Sequence, residues 1–104
     1  MSIPFEITPA DIDHYLANSQ TVTFHDGRTI GYNICGDPQG RPVFFFHGGP
    51  GSRLEALALH TAAQEHGFCI IAPDRPGHGL SDYQPSRTLL DWPHDVLHLA
   101  DHLG

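Results

Sequence analysis

The chain has 104 residues and carries 12 acidic against 5 basic side chains, a formal net charge of −7 at neutral pH. That length supports one core of modest size rather than two separate domains, and the scarcity of Lys and Arg excludes nucleic acid and anionic membrane surfaces as partners, because clustered cations hold both. Nine histidines make the charge sensitive to pH between about 5 and 8.

Residues 1–10 show no basic start and no apolar run, and no stretch is long enough to span a membrane. Cys35 and Cys69 have neither CxxC spacing nor a zinc-ligand pattern, so reduced thiols in a cytoplasmic protein are expected; the sequence leaves open whether the two pair.

In chain order, Thr8-Pro9-Ala10-Asp11 predicts a helix start, with Thr8 as cap and Pro9 at the first helical position, running to about Asn18. Residues 1–19 are read as an N-terminal helical extension and residues 20–104 as the main domain. Residues 21–24 and 29–34 are β-prone runs joined by Asp26-Gly27, the signal of an antiparallel hairpin. Residues 42–46 form a continuous apolar run, expected to be a strand buried on both faces. Residues 54–66 predict a helix closed by Gly67, and residues 68–72 a second apolar strand. Strand, helix and strand make a parallel βαβ unit, so the class is α/β. Leu89, Trp92, Val96, Leu99 and Leu103 recur at three and four and predict a C-terminal helix.

The segment that carries chemistry is His47-Gly48-Gly49-Pro50-Gly51, where a buried strand empties into a glycine-rich loop before a helix. Small residues let the backbone turn sharply and let amide N–H groups face open space, where they can cradle an anion. The lysine of a Walker loop is missing, as is a GxGxxG fingerprint. Beyond the next strand comes Asp74-Arg75-Pro76-Gly77-His78-Gly79-Leu80-Ser81-Asp82, read as scaffolding in which Ser81 caps the element after it and His78 is an exposed turn residue.

The two motifs, in this order on these elements, resemble the α/β-hydrolase superfamily over roughly residues 20–104. The resemblance implies the N-terminal part of that sheet: an antiparallel hairpin, a parallel β-α-β unit and a C-terminal helix. It implies that the Gly49 backbone N–H is an oxyanion-hole donor, of a kind whose loss costs about 3 kcal/mol, while His47 and Gly48 shape the loop. The loop is similar to that of prolyl iminopeptidases, from which Ser52-Arg53 departs, so ester, amide and peptide-like substrates all stay open. The family's nucleophile sits in G-x-S-x-G after a further strand, and no serine in this chain has that setting. The nucleophile, acid and base are therefore expected outside these residues, and the chain is expected to be inactive alone on its small-molecule substrate.

Without a further strand, Val43, Phe44, Phe45 and Phe46 become an unpaired apolar edge through which the chain can self-associate. The alternative to a hydrolase segment is thus a non-catalytic fragment or interaction module that pairs through this edge. His94, His98 and His102 lie four apart near Asp91, Asp95 and Asp101, but on a face opposite the apolar stripe, so a solvated polar face is expected, with no metal. Phe44, Phe45, Phe46 and Trp92 are read as plain core. No cofactor is implied.

Overall fold

The computed structural model describes residues 7–48, 51–83 and 91–104. Helix α1 (Pro9–Ala17) starts from a reciprocal cap in which the Thr8 hydroxyl accepts from the Asp11 amide and the Asp11 carboxylate accepts from the Thr8 amide. Then come β1 (Gln20–Thr23) and β2 (Thr29–Gly36), antiparallel, with Val22 opposite Ile30. Strand β3 (Arg41–Phe44) leads to a 3₁₀ segment (Arg53–Leu59), α2 (His60–His66), β4 (Phe68–Pro73) and α3 (Asp91–Leu103).

The four strands stand in the order β1-β2-β4-β3, with β4 antiparallel to β2 and parallel to β3. Successive residues of β4 face opposite sides, so Ile70 and Ala72 join Tyr15, Cys35, Ala56, Leu57 and Ala63 in one core, while Ile71 joins Tyr32 and Leu99 in another. Helix α1, the 3₁₀ segment and α2 cover the first face, and α3 covers the second. The α/β class and the antiparallel-then-parallel order are as the sequence predicts.

Several local expectations are corrected. The first half of the helix expected over residues 54–66 is a 3₁₀ segment, and only its second half is α-helical; Gly67 ends it at φ 75° as expected. Strand β3 is shifted to Arg41–Phe44 and is not buried on both faces: Val43 is 41% exposed and Phe46 40%. The cause is its place at the sheet edge among the described residues, with β4 on one side only. Phe44 and Phe45 do pack against the two cores, but Phe46 does not. Leu89 of the predicted apolar stripe lies outside the described residues.

Asp95 is the largest departure on α3. The sequence groups it with the nearby histidines of the polar face, yet it is buried, four residues before Leu99, and Arg28 of the hairpin donates two bonds to it at 2.7 and 3.2 Å. The other nitrogen of that guanidinium binds Asp26 at 2.8 Å, and the cation lies 5.6 Å from the Phe24 ring centre. A planar fork suits this geometry, which clamps α3 to the hairpin. His94, His98 and His102 are exposed, and among the described residues no group of three His, Cys, Asp or Glu could hold a metal ion.

With side chains only 14% and 5% exposed, the Arg28–Asp95 pair is expected to couple by about 2 kcal/mol. A double-mutant cycle of Arg28→Ala and Asp95→Ala in urea unfolding checks this. A coupling below about 0.5 kcal/mol would class the pair with ordinary surface bridges.

Candidate active site

The loops after β3 and β4 leave the carboxyl ends of two adjacent parallel strands, the place where α/β sheets bind ligands. His47 ends the first loop's descent and is 1% exposed. Its Nε2 accepts the Arg75 backbone N–H at 3.0 Å, which fixes the proton on Nδ1, and Nδ1–H donates to the Gly48 carbonyl at 2.7 Å. The Arg75 Nε–H donates to the His47 carbonyl at 2.9 Å. The two loops are thus tied to each other through one neutral imidazole, which has no free nitrogen left to act as a base.

A Cβ on Gly48 would meet nothing within 4 Å. Glycine at this exposed position keeps the space beside the loop open rather than relieving a clash. Gly49 and Pro50, and with them the expected oxyanion donor, lie outside the described residues.

Beneath the loops sits a buried polar network that the sequence did not announce. Asp74, fully buried, accepts from the Arg53 amide at 2.6 Å, the Arg53 Nη1 at 2.8 Å and the Leu80 amide at 2.9 Å. Arg53, 5% exposed, donates from Nε to Asn33 at 2.7 Å and from Nη2 to Ser19 at 2.9 Å. The Tyr15 hydroxyl donates to the Arg53 carbonyl at 2.9 Å, and Asn33 donates back to the Tyr15 carbonyl at 2.7 Å. One ion pair therefore gathers α1, β2, the 3₁₀ segment and the end of β4.

The segment after Asp74 wraps around this carboxylate. Gly79, at φ 50°, lies so close that a Cβ would collide with the Asp74 carboxyl group, and a Cβ on Gly31 would collide with Leu80. Ser81 does not serve as a helix cap: its hydroxyl donates to the Asp74 carbonyl at 2.7 Å and accepts the Gly31 amide at 3.0 Å. His78 is not a free turn residue either. It is half-buried, with its ring centre 5.1 Å from that of His47.

The described serines are engaged in local structure. Ser52 caps the 3₁₀ segment by accepting the Leu54 amide, while Ser19 and Ser81 are spent on the network. Ser86 lies outside the described residues. Both cysteines are free thiols, and burial, with Cys69 nearby, pushes the Cys35 thiol up to about 11.

Trp92 is not simple core. It is half-buried, its ring stands edge-on to Phe46 at 5.4 Å, and the Arg75 guanidinium lies 5.1 Å from its centre. Its indole nitrogen is buried without an acceptor among the described residues.

An alpha/beta hydrolase fold family model matches residues 41–104. The chain belongs to this family. A hydrolase of Bacillus subtilis described as uncharacterised is 36% identical over 84 residues, covering 81% of this chain and 28% of the relative. A non-heme chloroperoxidase of Streptomyces lividans is 46% identical over 66 residues, covering 64% and 24%. A proline iminopeptidase of Xanthomonas citri is 32% identical over 84 residues, covering 76% and 26%. Among solved structures, a ligand-free epoxide hydrolase superposes with a TM-score of 0.72 at 30% identity over 83% of this chain and 29% of its own. The Aspergillus niger epoxide hydrolase superposes with a TM-score of 0.71 at 23% identity over 95% and 29%, a likeness of fold. This α/β-hydrolase chain spans less than a third of the length of these relatives.

Removing the Asp74 carboxylate leaves the Arg53 cation buried, so Asp74→Ala is expected to cost about 4 kcal/mol. Ser81→Ala strands one buried amide and should cost about 1–2 kcal/mol. Urea unfolding followed by circular dichroism checks the order, and equal costs would deny Asp74 its central place. The Cys35 thiol predicts a pH effect of definite sign. Its ionisation is disfavoured in the fold, so the stability it preserves is complete below the ordinary value of 9.0 and is lost as pH rises toward about 11. Cys35→Ala should show a shallower decline, the remainder coming from Cys69, Tyr15 and Tyr32, whose ionisation burial also disfavours, a comparison made by thermal melts between pH 8 and 11.

Proposed function

We propose that this chain supplies the oxyanion loop of a serine-type hydrolase acting on a small-molecule ester, amide or peptide-like bond in the cytoplasm. The observation that carries the reading is the commitment of both His47 nitrogens, one to the Gly48 carbonyl and one to the Arg75 amide. A peptide unit is planar and, before a non-proline residue, trans, so its C=O and N–H point to opposite sides. On this reading the bond that holds the Gly48 carbonyl on His47 also orients the peptide unit that follows, whose N–H is the expected oxyanion donor. An amide so fixed needs no reorganisation when negative charge develops on a substrate oxygen, which is the source of oxyanion-hole stabilisation.

On this reading His47 positions the donor and does not itself exchange a proton with substrate. The nucleophile, acid and base lie outside these 104 residues, and the chemistry needs side chains and amides without a cofactor. The peptidase and peroxidase names of the relatives leave the bond type open between ester and amide.

Two measurements test the reading. The purified chain should give no turnover of p-nitrophenyl acetate above buffer, and turnover that collapses in Gly49→Pro would mean that a nucleophile works within it. Residues 41–104, grafted in place of the matching segment of the Xanthomonas citri proline iminopeptidase, should support release of proline. In that graft His47→Ala should lower kcat by about 10²-fold with little change in KM. An unchanged kcat would remove His47 from the loop's positioning.

A second reading has one observation behind it. Strand β3 is an edge among the described residues, with Val43 41% exposed, and such an edge can pair with the same strand of a second copy. Sedimentation of the chain should then show a dimer that Val43→Lys dissociates; a monomer at all concentrations would dismiss this role.

A further inference from the structure

The polar groups beside the loop are unequally matched. Arg28 and Arg53 are each paired with an aspartate. Arg75 is not: its amide and Nε are both spent on His47, and its two terminal amino groups have no partner among the described residues. Those bonds pin the guanidinium across two aromatic rings, 5.1 Å from the centre of Trp92 and 5.8 Å from that of Phe46. The two rings stand at 78° to each other, so they hold the cation from two sides without offering a hydrogen-bond acceptor in their planes, and the terminal N–H groups keep their capacity for one. The Trp92 indole N–H, in the same cluster, is buried and also without an acceptor among the described residues. Donors are thus in excess close to the His47–Gly48 loop, and the 40% exposed ring of Phe46 offers apolar surface beside them.

We propose that Arg75, laid across Phe46 and Trp92 beside the His47–Gly48 loop, receives the carboxylate of a small aryl or alkyl acid. A carboxylate matches the guanidinium fork with two parallel bonds. A single guanidinium suits a monoanion, whereas inorganic phosphate, close to a dianion at neutral pH, gains from a second cation, and among the described residues the cluster pairs Arg75 with none. Resting on the hydrolase reading, the same site then selects substrates that carry a carboxylate within a few bonds of the group under attack.

Trp92 is the sole tryptophan of the chain and reports directly on the site. Titration of the 104-residue protein with phenylacetate should change its fluorescence saturably. Phenylacetamide, of nearly the same shape without the charge, and inorganic phosphate should each bind at least about tenfold more weakly. Arg75→Gln should weaken phenylacetate by a similar factor, and Arg75→Lys should recover part of the loss. Equal binding of acid and amide, equal binding of phosphate, or an unaffected Arg75→Gln variant would overturn the proposal. If Arg75→Gln does not fold, the acid-against-amide comparison on the unaltered protein decides alone. The titration needs no turnover, so its failure alongside a working graft removes only the carboxylate site. Carboxylate binding alongside an inactive graft would remove only the hydrolase reading.

Discussion

The buried pair of Arg53 and Asp74 is the constraint on which the rest of this small fold depends. Two charges withdrawn from water cost several kcal/mol each unless every lone pair and proton finds a partner. In this fold the carboxylate accepts two bonds from Arg53 and one from the Leu80 amide, and the guanidinium spreads its remaining donors over Asn33 and Ser19. Lysine could not replace that arginine, because an ammonium has neither the planar fork nor the reach to three acceptors at once. Satisfying the pair requires α1, β2, the 3₁₀ segment and the segment after β4 to arrive together. A charge that is costly when misplaced thereby becomes a registration device for the two loops above it.

The secondary structure was largely legible because its signals are local. Thr8 and Asp11 cap a helix within four residues, Asp26-Gly27 turns a hairpin, and Gly67 ends a helix at positive φ. The features that escaped the sequence depend on distant partners. Asp95 stands four residues before Leu99 and is buried with it on α3, and the cation that meets its charge there, Arg28, is 67 residues away. Arg53 reads as a departure from a family loop, although one signal was present: a cation at the positive end of a helical segment is unfavourable and asks for an acid. Asp74, directly after an apolar strand and followed by Gly77 and Gly79, was the acid to suspect. The apolar run through Phe46 predicts a buried strand, but burial is a property of the neighbours, and β3 has a neighbour on one side only among the described residues.

The place of the candidate loop was legible and its bonding was not. An apolar run followed by glycines predicts a strand that empties into a loop, and His47 and Gly48 stand beyond the carboxyl end of β3. The role of the imidazole could not be read from its neighbours in sequence, because it is set by the Arg75 amide 28 residues further on. That single bond fixes the tautomer, and the tautomer gives the Gly48 carbonyl its donor.

The charge distribution separates this corner from the rest of the molecule. A chain of net charge −7 repels anions at long range, yet screening confines that repulsion to about 10 Å or less in physiological salt. Within that distance the local arrangement decides. Arg75 is held by bonds to an imidazole and a carbonyl rather than to a carboxylate, so its charge is positioned without being neutralised. The aromatic rings beside it stabilise the cation without supplying a counter-charge. Such a cation keeps most of its capacity for a carboxylate, and one paired like Arg28 or Arg53 does not.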